Sequence, residues 1–523
     1  MTIDNELIGY CAEAKKLNSD NLMKILRDNE NTQYGQEHDF CKIKSMEEYR
    51  KTVPLSNYSS FEKYIERMRE GEENVLTVYP LAGFCRTSGS TGRSKYIPLS
   101  YTALKRYSDY FERWRTEYLR EAGGKRFLIN AFRTDINKPQ ARDSLFTEFY
   151  YRYIYEQGFM DMAEYIGGEL MIFADDDYDI LYLKVREALC YPDIKIFESI
   201  YMYELLNFFS YLESNWESMI NDMEKGSIPA DIHLSQRMRE YILSIKASDE
   251  RISEIKKECK KGFKGIAKRL WKHLSLISGI SCRSNIVESA AIDDYTGNIK
   301  KYFLCYCSSE CYIGTPIDTD DYSYVMMPQN AFYEFLPNDE KNDETFLPHE
   351  LTEGRLYEPV ITNFSGLYRY KTGDVVKITG FVDESPIMEF MFRKGQALNI
   401  AGEKYDVRQL EKAVFDLRSN GIIAENYCFS ACYDTIPGCY KAVLALYDTL
   451  TDKFEISELL DKTLCLNNSE YEDLRKLGEL GKPEVIIFDS TEFAKYMEGM
   501  GLFHTYGHNK PHHLLKEKRQ KAL

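Results

Sequence analysis

The sequence predicts an α/β chain built as a large N-terminal α/β domain followed by a smaller C-terminal α+β domain, and three observations carry that prediction. Apolar residues recur at helical spacing early in the chain, the texture turns strand-rich from about residue 274, and after Phe392 the hydrophobic pattern restarts. The restart is a compact strand-and-helix opening, so the predicted division is 1–394 and 395–523. At 523 residues, with 44% apolar and 29% charged residues, the chain can bury a sizeable core in at least two domains.

Taken in order, Leu7, Ile8 and Cys11 repeat at helical spacing, and Ser19 or Asp20 can cap a second helix carrying Leu22, Met23, Ile25 and Leu26. From Thr77 a short apolar run leads into a Gly/Ser/Thr loop. Residues 101–165 read as mainly helical and aromatic, with Phe146, Phe149, Tyr150, Tyr153 and Ile154 in a stripe that either packs a core or walls an acyl pocket. Asp175, Asp176, Asp177 and Asp179 suit a solvated turn or helix cap better than a magnesium site. The stretch from Lys256 to Lys272 reads as an amphipathic surface helix interrupted at Gly262 and Gly265. Strands follow at LSLISGIS, at KKYFLCYC read as one alternating strand, at YSYVMM and at VVKITGF. In the smaller domain KAVLALYD and PEVIIFD are strands, and Ile456 to Leu477 is mostly helical.

Bulk properties narrow the function. A formal net charge of −16 argues against a general nucleic-acid binder, so an anionic ligand must be met by local charge. No run approaches the roughly 20 apolar residues that span a bilayer, and MTIDNELIGY lacks the blocks of a signal peptide. The expectation is a cytoplasmic protein without a membrane or nucleic-acid partner. Thirteen scattered cysteines, including Cys305, Cys307 and Cys311, lack the matched pairs of a zinc site and read as reduced thiols. His508, His512 and His513 have helical metal spacing, but Pro511 interrupts the helix it would need.

Three distant stretches carry chemistry. In TSGSTGRSK, small residues let the backbone approach a polyphosphate, Ser88, Ser90 and Thr91 offer hydroxyl and N–H donors, and Lys95 adds a positive charge. The string does not fit the Walker A pattern, and taken alone it also suits an ordinary loop. In YCSSECYIG, Glu310 follows a strand where a carboxylate can hold Mg2+ on ATP phosphates, with Ser308 and Ser309 beside it. Tyr306 or Tyr312 offers a face to adenine; a strand end with a surface glutamate is the plainer alternative. In YRYKTGDVV, Asp374 follows Gly373 in a turn and presents a carboxylate that suits the two ribose hydroxyls, or simply caps its own backbone. With a lysine in GHNKPHH near the C-terminus, the set points to ATP-dependent activation of a carboxylic acid.

The chain resembles the auxin-responsive Gretchen Hagen family of acyl acid amido synthetases, a branch of the acyl-adenylate-forming superfamily. The likeness spans nearly the whole chain, through YGQEHDF, VPLSNY, the loop, YCSSECYIG, NAFYEFLP, EPVITNFSGLYRYKTGDVV, EYEDLRKLGELGKPEV and GHNKPHH. It implies mixed sheets in the large domain and a mobile small one. It also implies that Ser88, Ser90, Thr91 and Lys95 form the phosphate loop, that Glu310 is the magnesium ligand, and that Asp374 holds the ribose. Tyr312 would be the adenine-side aromatic, Arg393 the hinge-side arginine on the nucleotide, and Lys510 the lysine that completes the adenylation site. Two departures stand out: a phosphate loop one residue shorter than in many plant members, and His508 where glutamine is frequent. The implied reaction joins a small carboxylic acid to an amine, an amino acid in most of the family, through acyl-AMP. A coenzyme A ligase and a non-catalytic nucleotide-binding scaffold are the alternatives.

Overall fold

The computed structural model describes residues 5–87, 95–134, 136–174, 179–282, 286–338, 343–394, 397–398, 400, 403, 405–432, 435, 437–500 and 513–515. The helix expected to begin at Ser19 or Asp20 starts earlier, as Ala14–Asp28, and holds both residues in its interior. A tertiary anchor overrides the local capping signal there. The amides of Asn18 and Asn21 on this helix donate to the buried carbonyls of Tyr333, Pro328 and Ala331 at 2.9–3.0 Å.

Four parallel strands form one sheet in the order Lys125–Leu128, Ile194–Tyr201, Leu276–Ile280, Lys300–Phe303. Their crossovers are helical, among them Met202–Lys225, and the sheet is covered so well that Ile196, Phe197, Ile277 and Tyr302 are all fully buried. This sheet corrects one expectation. KKYFLCYC is not one strand, because Lys300–Phe303 ends the parallel sheet while Tyr306–Cys307 opens a different one. Every residue from Tyr302 to Tyr306 is buried, so the side-chain alternation read as one strand does not mark the break between the two sheets.

The second sheet holds the chemistry. It runs Tyr306–Cys307, Tyr312–Pro316, Ser323–Met326, Ser385–Arg393, Asp374–Val382, Leu356–Thr362, Phe332–Pro337, with Tyr370–Lys371 paired onto Leu356–Thr362, and its neighbours are antiparallel. A small third sheet pairs Tyr96–Ser100, Leu81–Arg86 and Asp143–Ser144 on either side of the Gly/Ser/Thr loop. The aromatic stripe of helix Phe146–Glu156 is core: Phe149, Tyr150 and Ile154 are buried. The lysine-rich stretch is two helices, Asp249–Cys259 and Ile266–Leu270, with Gly262 and Gly265 at positive φ between them.

A separate hydrophobic cluster contains Leu398, Leu410, Val414, Tyr427, Leu444, Leu460 and Tyr471. It is built on the sheet Glu484–Phe488, Cys439–Leu446, Ala424–Cys432, Leu514–Leu515 and on the helices Val407–Asp416, Lys453–Asn467 and Ser469–Leu477. Polar contacts join it to the rest: the Tyr295 hydroxyl donates to Glu425 at 2.8 Å, and Arg418 pairs with Asp294 at 2.5 Å. No helix among the described residues is long and apolar enough to cross a membrane.

Candidate active site

Glu310 lies in the tight connection between Tyr306–Cys307 and Tyr312–Pro316 and is only 5% exposed. Its backbone carbonyl is pinned by the Asn363 amide at 2.8 Å, and its carboxylate accepts from the Tyr370 hydroxyl at 3.2 Å. Among the described residues no other side chain bonds that carboxylate. Burial and the Glu310 charge together push the Tyr370 phenol far above its ordinary range, which keeps it protonated as a donor.

Asp374 opens the strand Asp374–Val382, and its register partner across the ladder is Arg393, the last residue of Ser385–Arg393. The pairing sets Arg393 Nε 3.5 Å from Asp374 Oδ1, with the arginine side chain still 37% exposed. The Tyr306 hydroxyl donates to Asp374 Oδ2 at 3.2 Å. The Asp374 charge, with Glu310 as a further contributor, holds the Arg393 guanidinium above its usual range; Glu310 and Asp374 thus act on the same cation. The turn that aims Asp374 needs Gly373, whose φ is +78°, and whose N–H donates to Glu358 at 2.8 Å. Lys394, next to Arg393, pairs with that same Glu358 at 2.8 Å and fixes the exit of the strand.

Lys95 stands where the Gly/Ser/Thr loop rejoins the chain. Its carbonyl accepts from Thr87 N at 2.9 Å, and its ammonium sits 5.5 Å from the centre of the Tyr58 ring. The helix Tyr58–Arg69 then links this stem to the Glu310 pair, because its Phe61 contacts Tyr370 with ring centres 6.4 Å apart. The strand Leu81–Arg86 enters the loop and carries Cys85, whose thiol is raised by burial first and then by the Glu310 charge. The loop stem and Glu310 are thus close neighbours. Ser88, Ser90, Thr91 and Lys510 lie outside the described residues, as do His508 and His512. Ser309 is described and half-buried, next to Glu310.

Tyr312 is packed into the core. It is 2% exposed, and its ring packs against Phe111 at 5.0 Å and Tyr107 at 6.3 Å, because every residue of Tyr312–Pro316 is buried. Tyr306, the other aromatic considered from the sequence, is the one that touches the Asp374 carboxylate. Sequence reasoning missed Tyr370, Asn363 and Glu358. All three lie within EPVITNFSGLYRYKTGDVV, so the run itself was visible while the pairing of its residues was not.

A second buried charge cluster adjoins the helix Tyr101–Ala122. Glu198 accepts from Arg115 Nη1 and Arg126 Nη2, each at 2.9 Å, and from Arg126 Nε; Arg115 also binds Glu112, which accepts from the Tyr150 hydroxyl at 2.8 Å. The Glu198 and Arg115 side chains are each 3% exposed. Burial alone would raise the Glu198 carboxyl, but the two guanidiniums override it and hold it below the usual range. His513, the residue of the histidine group that is described, stacks on Tyr427 at 4.2 Å and bonds its carbonyl through Nδ1 at 3.1 Å. None of the thirteen cysteines is joined in a disulfide, and Cys305 Sγ and Cys307 Sγ lie 3.3 Å apart.

The GH3 family N-terminal domain matches residues 5–302, its central domain 324–393 and its C-terminal domain 408–519. An indole-3-acetic acid-amido synthetase of Oryza sativa subsp. indica is 27% identical over 486 residues, 86% of this chain and 80% of its own length. A jasmonoyl–L-amino acid synthetase of Oryza sativa subsp. japonica is 26% identical over 528 residues, 94% and 91%. Among solved structures, an acyl acid amido synthetase in complex with 2,4-DB superposes with a TM-score of 0.84 at 22% identity, covering 98% of this chain and 94% of that one. A 2-hydroxyisobutyryl-CoA ligase in the postadenylation state gives 0.52 at 9% identity over 97% and 90%. The last two likenesses show a shared fold.

Proposed function

This chain belongs to the GH3 family, and on that footing we propose that it adenylates a small carboxylic acid with ATP and passes the acyl group to an amine, by analogy with its relatives an amino acid. The observation that carries the reading is the convergence of Glu310, Asp374 and Arg393, residues from separate stretches of the sequence, on one end of the antiparallel sheet.

Each group has a task set by its surroundings. Asp374, held between Tyr306 and Arg393, accepts the ribose hydroxyls. Arg393, exposed on one side and fixed on the other, meets the phosphate end of the nucleotide as a delocalised cation. Lys95 and the N–H groups of the loop 88–94 receive the β- and γ-phosphates. The Glu310 carboxylate fits Mg2+, a cation that takes one or two protein carboxylates and fills its shell with phosphate oxygens and water. Bound there, it would neutralise charge on the phosphoryl oxygens.

In the first half-reaction a carboxylate oxygen of the acid attacks the α-phosphorus and the bond to pyrophosphate breaks. Lys510 adds positive charge at the phosphoryl oxygens as negative charge builds, so catalysis is positioning and electrostatics. In the second, the amine nitrogen attacks the acyl carbon, AMP departs, and the amine loses its proton. We assign 1–394 to substrate binding and 395–523 to a unit that moves between the two steps, supported by the separate hydrophobic cluster around Leu410 and Leu444. The cytoplasmic location is part of the same reading.

The test is a screen of carboxylic acids with MgATP and hydroxylamine, which traps any activated acid without knowledge of the natural amine. One class of acid should give hydroxamate with matching pyrophosphate release, and amino acids should then replace hydroxylamine. Thioester formation with coenzyme A in place of amide would shift the assignment to a thiol acceptor. Absence of both ATP affinity and pyrophosphate release across a broad acid library would remove it.

A further inference from the structure

At one end of the C-terminal sheet, three side chains with metal-ligating atoms meet, and nothing in the adenylation chemistry uses them. Cys432 ends the strand Ala424–Cys432, Cys439 begins Cys439–Leu446, and the two are direct partners across the antiparallel ladder. Glu484 begins Glu484–Phe488, which runs parallel to Cys439–Leu446 and is in register with it at Lys441. All three ligand atoms lie within 4.8 Å of one another, with Cys432 Sγ 3.6 Å from Glu484 Oε2.

We propose that Cys432, Cys439 and Glu484 form a binding site for a single thiophilic divalent cation, Zn2+. Tetrahedral zinc with Zn–S near 2.3 Å places its two sulfurs about 3.8 Å apart, so the triangle is already close to the dimensions of a coordination shell. Two thiolates with one carboxylate select zinc over magnesium or calcium, which take oxygen ligands. Both thiols are buried, at 0% and 4% exposure, whereas Glu484 is exposed, so a cation would reach the thiols from the Glu484 side.

The surroundings hold the ligands in place. The Thr435 hydroxyl donates to the Pro437 carbonyl at 3.0 Å and lies 3.7 Å from Cys439 Sγ, which fixes the turn beside that sulfur. Gly481 N donates to Gly438 O at 2.8 Å, and a Cβ at Gly481 would sit 3.1 Å from Cys439 Cβ. That close approach presses the lead-in of the Glu484 strand onto the cysteine. On binding, each thiol loses its proton, so two protons are released per Zn2+ and no electron moves. The cation would tie three strands together at the end of the sheet opposite Glu425, whose contact with Tyr295 joins the small unit to the large one.

The test uses the full-length chain, reduced and desalted under air-free conditions, titrated with Co2+ and then Zn2+. One equivalent of Co2+ should produce a thiolate charge-transfer absorption that one equivalent of Zn2+ abolishes. Cys439→Ser should eliminate the band, and Glu484→Gln should weaken uptake at least tenfold, roughly the loss seen when even an outer partner of a metal ligand is removed. Cys428→Ser, on the same strand but outside the triangle, should retain the full signal. Glu484 is exposed, so its variant keeps the test decisive should the serine variants misfold. Absence of the band, full uptake by both Cys439→Ser and Glu484→Gln, or a Cys432–Cys439 disulfide persisting in the reduced protein would overturn the proposal.

Discussion

Glu198 and Glu310 are both buried carboxylates, yet they sit in opposite kinds of environment. Glu198 takes bonds from two arginines, and one of those arginines is itself shared with Glu112, which also holds Tyr150. Its charge is fully met inside the protein. Among the described residues Glu310 accepts from one phenol, and Arg393, whose guanidinium the Glu310 charge helps to raise, is paired with Asp374 and is 37% exposed. A buried anion with internal counter-charges is an element of structure; one left partly unsatisfied beside an accessible cation has capacity for an incoming ligand. The difference teaches that burial of charge alone does not mark a functional site. The degree of satisfaction does.

The largest expected effect tests the structural end of this contrast. Glu198→Gln leaves Arg115 and Arg126 buried without their shared anion, and breaking such a pair costs about 3–5 kcal/mol, read as a fall in Tm. Because the folded-state value of Glu198 lies below its ordinary one, the stabilisation is fully present above the usual carboxylate range and lost as pH falls through the lower folded value. The Tm gap between wild type and variant should therefore be constant at neutral pH and shrink in acid. A gap unchanged at low pH would assign the loss to shape.

Glu310→Gln tests the functional end. Pyrophosphate release should fall by roughly 10²–10³-fold, as for loss of a preorganised electrostatic group, while Tm changes far less than in Glu198→Gln. A large Tm loss with normal turnover would reverse the comparison. Next in size, Asp374→Ala should weaken ATP binding by about tenfold, the equivalent of roughly 1.4 kcal/mol, measured by calorimetry; unchanged affinity would remove its role on the ribose.

A last test, read in pH dependence, sharpens the contrast with a third carboxylate that bonds no cationic side chain among the described residues. Glu204 caps the helix Met202–Lys225 by accepting from Tyr201 N at 3.0 Å, and burial pushes its carboxyl up to about 7. The folded state then holds a proton that the unfolded state releases, so stability should decline as pH rises from about 4.5 to 7. Glu204→Gln should lack that decline, and thermal melts at pH 5 and pH 8 would show whether the two proteins diverge.

The same contrast explains what could be read in advance. Asp374 was singled out because it follows Gly373 in a turn before an apolar strand, and Glu310 because it follows a strand, each with a plainer alternative beside it. Arg393 entered only through family resemblance: its pairing with Asp374 depends on ladder register across the hairpin, which a single sequence does not state. Tyr370 was hidden for a similar reason, since its partner lies sixty positions away. Tyr312 entered through the resemblance as the adenine-side aromatic, and its packing against Phe111 and Tyr107 depends on contacts that the sequence does not state.

By itself, the sequence determined the segments with local causes: the helices with apolar periodicity and the strands Asp374–Val382 and Cys439–Leu446. Spacing and composition suffice there because each signal acts over a few residues. Tertiary structure alone decided that KKYFLCYC serves two sheets, that Ser19 and Asp20 are helix interior, and that Glu198 meets two arginines while Glu310 meets one phenol among the described residues. Those outcomes depend on which distant groups share a low-dielectric interior, and contacts of that kind are fixed only when the chain closes on itself.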